Sequence, residues 1–172
     1  TDAQLASAFF FQYFKRVPQE DLRGENSDDL YKLAIAHLNS ARQKKHGQVQ
    51  VRAYNPVNPS ETGGSAFTIV EVTSDDMAFL VDSVQMALNR LGYTIHLTIH
   101  PVIGITRDKN QTITSISGHD KVEQPESFLN FRIDQEVRAD HLQTIENQVK
   151  EALQSVAAAN RDRQLMHNLA LN

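Results

Sequence analysis

The run TSDDMAFLVDSVQMALNRLGYTIHLTIHP, from Thr73 to Pro101, decides how the rest of the chain is read. Two acids open an apolar run with helical spacing, a glycine follows it, and histidines then recur at alternate positions. At about 100° per residue, Met77, Leu80, Val81, Val84, Ala87, Leu88 and Leu91 fall in one stripe, the face expected to lie on a sheet. Asp75 and Asp76 are expected in the first helical turn, where carboxylates favour the helix dipole, with Ser74 or Asp75 as the cap. Gly92 is placed to end the helix. Phe79 and Met86 fall on the opposite side, toward the N-terminal helices or a partner subunit.

The segment YTIHLTIH changes the period to two. Tyr93, Ile95, Leu97 and Ile99 point one way, and Thr94, His96, Thr98 and His100 the other. On a helix, His96 and His100 would be one turn apart and could share a zinc ion. On a strand they are about 13 Å apart, too far for one metal. The same alternation in SFLNFRID puts Leu129, Phe131 and Ile133 inside and Asn130, Arg132 and Asp134 outside. The polar face so defined is either a solvated sheet surface, an effector site, or a surface for pairing between subunits.

Working outward, the first third of the chain reads as helical. LASAFFFQYF crowds Phe9, Phe10, Phe11, Tyr13 and Phe14 around one helix running from Asp2 to Arg16, and a helix apolar on nearly all sides is usually buried. Ser27, followed by Asp28 and Asp29, is the expected N-cap of a second helix that runs to about Lys45 and stops at Gly47. Leu30, Ala34, Leu38 and Ala41 form its apolar stripe, and His37 lies among them as a core histidine. QVQVRAY then alternates as a strand, NPVNPSETGG reads as a loop, and AFTIVEV is a second strand. After the central helix come the histidine strand, a turn at Asp108 to Asn110, a strand at QTITSIS and the strand SFLNFRID. A long helix from about Glu136 carries Leu142, Ile145, Val149, Leu153 and Val156 at helical spacing.

This order predicts an α+β fold, a ferredoxin-like antiparallel sheet with helices packed on one face, preceded by an N-terminal helical segment. Residues 1–46 form that segment, 47–160 the α+β domain and 161–172 a helical extension. Thr1 is not methionine and the chain stops within a helical run, so both ends are expected to have been cut from something larger.

Totals exclude several functions. The chain has 172 residues, about 40% of them apolar, and a formal net charge of −4, with no basic stripe to hold a nucleic acid. It contains no cysteine, which removes thiol catalysis and disulfides and suits a cytoplasmic location. No apolar run reaches the length of a membrane span. The glycines never form G-x-G-x-x-G or a Walker loop, so no cofactor cradle is expected in this stretch. Neither H-E-x-x-H nor G-x-S-x-G occurs.

AFTIVEV leading into SDDMAFLVDSVQMALNRLGYTIH resembles the first strand and helix of ACT domains, regulatory modules that usually sense amino acids. Asp75, Leu80, Asp82, Leu88, Gly92 and Ile95 fit that pattern, and Ala78 replaces the glycine that lets an effector approach the backbone. More closely, VRAYNP, RVPQEDL, DDLYKLAIAHL and the run from Asp75 to Val102 resemble the N-terminal region of the large NAD-specific glutamate dehydrogenases, which usually have proline in place of Ala78. The resemblance implies a parent that deaminates L-glutamate with NAD⁺, its catalytic lysine and dinucleotide domain lying downstream. It also implies that the other domains of the same long chain are partners, that the parent is a homo-oligomer, and that an amino acid could act as effector. The candidate effector or interface residues are Ser74, Asp75, Asp76, His96, His100 and Arg132, which supply acids for an ammonium and a cation for a carboxylate. An ACT domain needs a strand after its last helix. Either Gln48 to Tyr54 fills that place or residues beyond the chain complete the sheet.

Overall fold

The computed structural model describes residues 1–56 and 66–170, so most of the loop expected at NPVNPSETGG lies outside the described residues. The elements run α1 (Asp2–Phe14), α2 (Ser27–Ala41), β1 (Gln50–Tyr54), β2 (Phe67–Asp75), α3 (Leu80–Arg90), β3 (Ile95–Ile99), β4 (Val102–Arg107), β5 (Ile113–Gly118), a single 3-10 turn (His119–Lys121), β6 (Glu126–Asp134) and α4 (Ala139–Ala170). The strands make one antiparallel sheet in the order β1-β2-β6-β4-β5, with β3 beside the other half of β6. Strands β3 and β4 together act as one strand, broken at His100 and Pro101. The sheet edge is completed from upstream: β1 pairs with β2 where the last strand of a βαββαβ plan would lie.

Each strand alternates between two apolar layers. On one face Val70, Val72, Leu129, Phe131 and Ile133 meet Leu80, Val84 and Leu88 of α3 and Ile145, Val149 and Leu153 of α4. On the other, Ile69, Ile99, Ile103 and Phe128 meet Phe9 and Tyr13 of α1 and Leu33, Ala34 and Leu38 of α2. The N-terminal segment therefore covers the face on which a solvated surface was one expectation. The aromatic crowding of α1 explains why: Phe9 packs edge-on against Phe128 with ring centroids 5.0 Å apart.

Three local expectations need correction. The cap of α2 is Asn26, whose Oδ1 accepts from the backbone N–H of Asp28 at 2.8 Å, and Ser27 is the first helical residue. The helix ends at Ala41 and not near Lys45, because the next residues turn to the sheet: Gln43 bridges Thr112, and the Ile113 N–H donates to the Arg42 carbonyl. The alternation in β3 breaks at His96, where a bulge shifts the register against β6, so Ile95 joins the α3/α4 layer while Leu97 and Ile99 join the α1/α2 layer. Gly92 closes α3 as expected. At φ +87° its N–H reaches the Asn89 carbonyl and the Tyr93 N–H reaches Leu88, a Schellman closure.

Glu136 fixes the entry to α4. Its backbone N–H donates to Thr68 Oγ1 at 2.8 Å, and its carboxylate accepts the Arg138 N–H at 3.0 Å and the Tyr93 hydroxyl at 2.9 Å, with His141 Nδ1 3.0 Å away. The Arg138 backbone N–H, then Tyr93, then His141 hold this carboxyl down at about 2. An unfolded glutamate takes its proton near 4.5, so the stabilisation is complete above that pH and fades as pH falls toward 2. In urea titrations across this window, Glu136→Gln is expected to flatten the acid loss of stability. Phe128→Ala should cost about 3–5 kcal/mol at neutral pH through the cavity it leaves between sheet and α1.

Candidate functional site at the strand-helix corner

Of the six residues singled out in the sequence, Ser74, Asp75 and Asp76 lie together at the C-terminal end of β2, with His100 close by. The pairing of β2 with β6 continues through Asp75 opposite Glu126, which keeps the backbone extended where a helical turn was expected. Helix α3 starts only at Leu80. Its cap position is Phe79, at φ +68°, with no side-chain hydrogen bond, so neither Ser74 nor Asp75 caps it. Ser74 is buried, and its hydroxyl donates to the Asp75 carbonyl at 3.1 Å. Asp76 accepts from the Ser127 hydroxyl at 2.6 Å, and its own N–H donates to the Pro125 carbonyl. Desolvation pushes the His100 imidazole below its ordinary range, opposed by the nearby charge of Asp76.

The corner is already occupied by the chain's own cation. Lys44, 1% exposed, places Nζ 2.8 Å from Asp75 Oδ1 and 3.9 Å from Glu126 Oε1. The other Asp75 oxygen accepts the Gly47 N–H at 2.8 Å and has His46 Nδ1 at 3.1 Å. Arg107 completes the group, its Nε 2.7 Å and its NH2 3.0 Å from the two oxygens of Glu126 in a bidentate pair. Its remaining N–H groups donate to the carbonyls of Ala41, Arg42 and Gln111. Two cations thus face two carboxylates, and both oxygens of Asp75 are engaged.

His96 and Arg132 belong to a different place. Arg132 pairs with Glu25 at 2.6 Å and stacks over the Phe67 ring at 5.3 Å. His96 Nε2 lies 2.7 Å from Asp134 Oδ1, and its ring is 5.3 Å from Phe67. The Thr94 backbone N–H, then His96, hold the Asp134 carboxyl below its usual range. Phe67 and Asp75 are the two ends of β2, eight residues and about 26 Å apart along an extended strand. The structure therefore does not bring Asp76 and Arg132 to one ligand.

Sequence reading missed Lys44, Arg107 and Glu126. Lys44 stands in the polar run RQKKHG and looks solvated there. The buried Glu71 left more of a trace, since it interrupts the apolar strand AFTIVEV. Its carboxylate accepts Arg52 at 3.1 Å, the Tyr54 hydroxyl at 2.8 Å and the Ser40 hydroxyl at 3.2 Å. Beside it, His37 is fully buried and desolvation lowers its pKa, which leaves the ring neutral. The Tyr13 hydroxyl lies 2.8 Å from His37 Nδ1, and Nε2 lies 3.0 Å from Thr73 Oγ1, so the ring bridges the two hydroxyls.

Comparison with known proteins places this chain in a family. A family model described as the ACT1 domain of glutamate dehydrogenase matches residues 9–149. The chain belongs to that family. It is 30% identical over 157 residues to the NAD-specific glutamate dehydrogenase of Halomonas elongata, an alignment covering 90% of this chain and 10% of the relative. It is also 30% identical over 151 residues to the enzyme of the same name from Pseudomonas aeruginosa, covering 86% and 9%. The domain spans about a tenth of the length of these curated relatives. No described helix is long and apolar enough to cross a membrane.

Lys44→Met is expected to destabilise the domain by about 3 kcal/mol, because it takes the buried cation from the largely buried Asp75 carboxylate. The paired change Lys44→Met with Asp75→Leu should recover a substantial part of that loss in a double-mutant cycle by denaturant unfolding.

Proposed function

We propose that this ACT1 domain is an N-terminal regulatory and assembly module of a large NAD-specific glutamate dehydrogenase. The parent would convert L-glutamate, NAD⁺ and water to 2-oxoglutarate, ammonium, NADH and a proton, with catalysis and NAD binding in other domains of a cytoplasmic homo-oligomer. The family match over residues 9–149 carries this reading. In this scheme the domain acts through packing: a ligand or neighbour that favours one packing state by about 1 to 3 kcal/mol biases a distant active site by that amount.

One observation favours assembly over direct sensing of an amino acid. The Lys44 ammonium fills the Asp75 corner that an effector's ammonium would need. A purely structural module, binding no small molecule there, is the reading that this contact supports. The outer side of α3 supplies a contact surface, since Phe79 is 62% and Met86 54% exposed. Both lie across the sheet from α1 and α2, so the N-terminal helices do not cover them.

A thermal-shift screen of the chain against the common amino acids is expected to give no shift, although a site saturated at 100 times its dissociation constant adds about 2.7 kcal/mol. In the full-length enzyme, Phe79→Asp with Met86→Asp should lower the sedimentation-determined oligomeric state while leaving the melting temperature of the isolated domain within a few degrees. A shift with one amino acid that Asp76→Ala abolishes would replace assembly by sensing. An unchanged oligomer would remove α3 from the subunit contacts.

A further inference from the structure

A second cleft, away from the Asp75 corner, opens where α1 ends above the break between β3 and β4. Its volume is about 500 Å³, within the range of small-molecule sites. The break creates it. Pro101 has no N–H to continue the ladder, yet its carbonyl accepts the Phe128 N–H at 3.0 Å, so the strand bends without leaving the sheet. Tyr13, Val17, Pro18, Ile99 and Val102 give the cleft apolar walls.

Lys15 and Arg16 from the end of α1, His100 from the strand break and His119 from the turn after β5 all line this cleft. One carboxylate, Asp120, lines it too, 3.7 Å from Lys121. With the histidines neutral, Lys15 and Arg16 outnumber that one carboxylate, in a chain of net charge −4. The Arg16 guanidinium pairs with no carboxylate among the described residues. Its polar contact is another basic group: Nη2 lies 3.5 Å from His119 Nδ1. That leaves the remaining Arg16 N–H groups and His119 Nε2 for an acceptor, and the Lys15 ammonium lies over the Phe11 ring at 5.6 Å, with no acid paired to it among the described residues. His100, desolvated and set beside Asp76, contributes an imidazole edge more than a charge.

We infer that this cleft binds the phosphate group of a small molecule, with Arg16 as the planar fork, His119 and Lys15 as further donors, and the apolar wall receiving the body of the ligand. A dianion gains from two cations at once. A zwitterionic amino acid, neutral overall, gains little here, so the site is separate in chemistry as well as place from an amino-acid sensor. The inference concerns this chain's own surface and holds whether or not the parent is a glutamate dehydrogenase.

The test is calorimetric titration of the chain at low salt and neutral pH with inorganic phosphate and with phenyl phosphate, whose ring tests the apolar wall. Both are expected to bind, phenyl phosphate more tightly, with amide shifts in NMR confined to Val17, His100 and Gly118 to Asp120. Arg16→Gln and His119→Gln, both at accessible positions, should each weaken binding tenfold or more with unchanged melting temperature. Lys109→Gln, in the turn between β4 and β5, should leave it unchanged. Equal affinity for phosphate and phenyl phosphate, with both lost in Arg16→Gln, would assign the cleft to free phosphate. Absence of binding, equal loss in Lys109→Gln, or succinate binding as tightly as phosphate would overturn the inference.

Discussion

The ion cluster of Lys44, Asp75, Glu126 and Arg107 holds four pieces of the fold in one register. Lys44 follows α2, Asp75 ends β2, Glu126 begins β6 and Arg107 ends β4. Through Arg107 the cluster also satisfies the carbonyls of Ala41 and Arg42, at a helix end that lacks a glycine or basic side chain of its own. Such a group adds little net stability relative to an apolar replacement, since desolvation offsets much of the attraction. What it supplies is discrimination. A shift of α2 by one turn would leave charges buried without partners, so the N-terminal segment has one way to lie on the sheet.

The second polar system lets that segment lie on a sheet face that carries polar residues among its apolar ones. Glu71 and Thr73 are almost wholly buried beneath α1 and α2, and such burial is tolerable only where partners are supplied. Arg52, Tyr54 and Ser40 supply them for Glu71, while Tyr13 and His37 form a relay to Thr73. The hydroxyl of Tyr13 stays protonated, because burial pushes its pKa well above the ordinary value and the charge of Glu71 adds to the rise. It therefore remains a donor. These polar residues are tolerated in the interface because β1 and the covering helices bring polar groups to meet them.

These two systems explain what was legible in the sequence. Period carries local information, so the apolar stripe of α3, the core positions Ile145, Val149 and Leu153 of α4 and the inward set of β6 were readable from spacing alone. The start of α3 was not. Two acids before an apolar run look like a capped helix, and only the pairing of Asp75 with Glu126 and the distant Lys44 keep that stretch extended. The bulge at His96 is likewise invisible to a period of two, because it answers to the register of β6. The six polar residues expected to serve one ligand between the strand-helix corner and the sheet face divide between the two ends of β2, a consequence of strand length that spacing within each short motif does not reveal.

A domain built this way has its interior settled, which directs any coupling to its outside. The helical layer exposes Phe79 and Met86 on α3 and, farther along α4, Leu165, Met166 and Leu169. The basic cleft opens on the opposite side, under the end of α1. Because α1 packs on the same sheet through Phe9 and Phe128, a ligand that draws Arg16 inward would act on the layer that the Lys44 cluster keeps in register. Packed interiors respond to such a pull by moving as a unit or not at all. Occupancy of the cleft would therefore reach the α3 surface only through a movement of the whole domain.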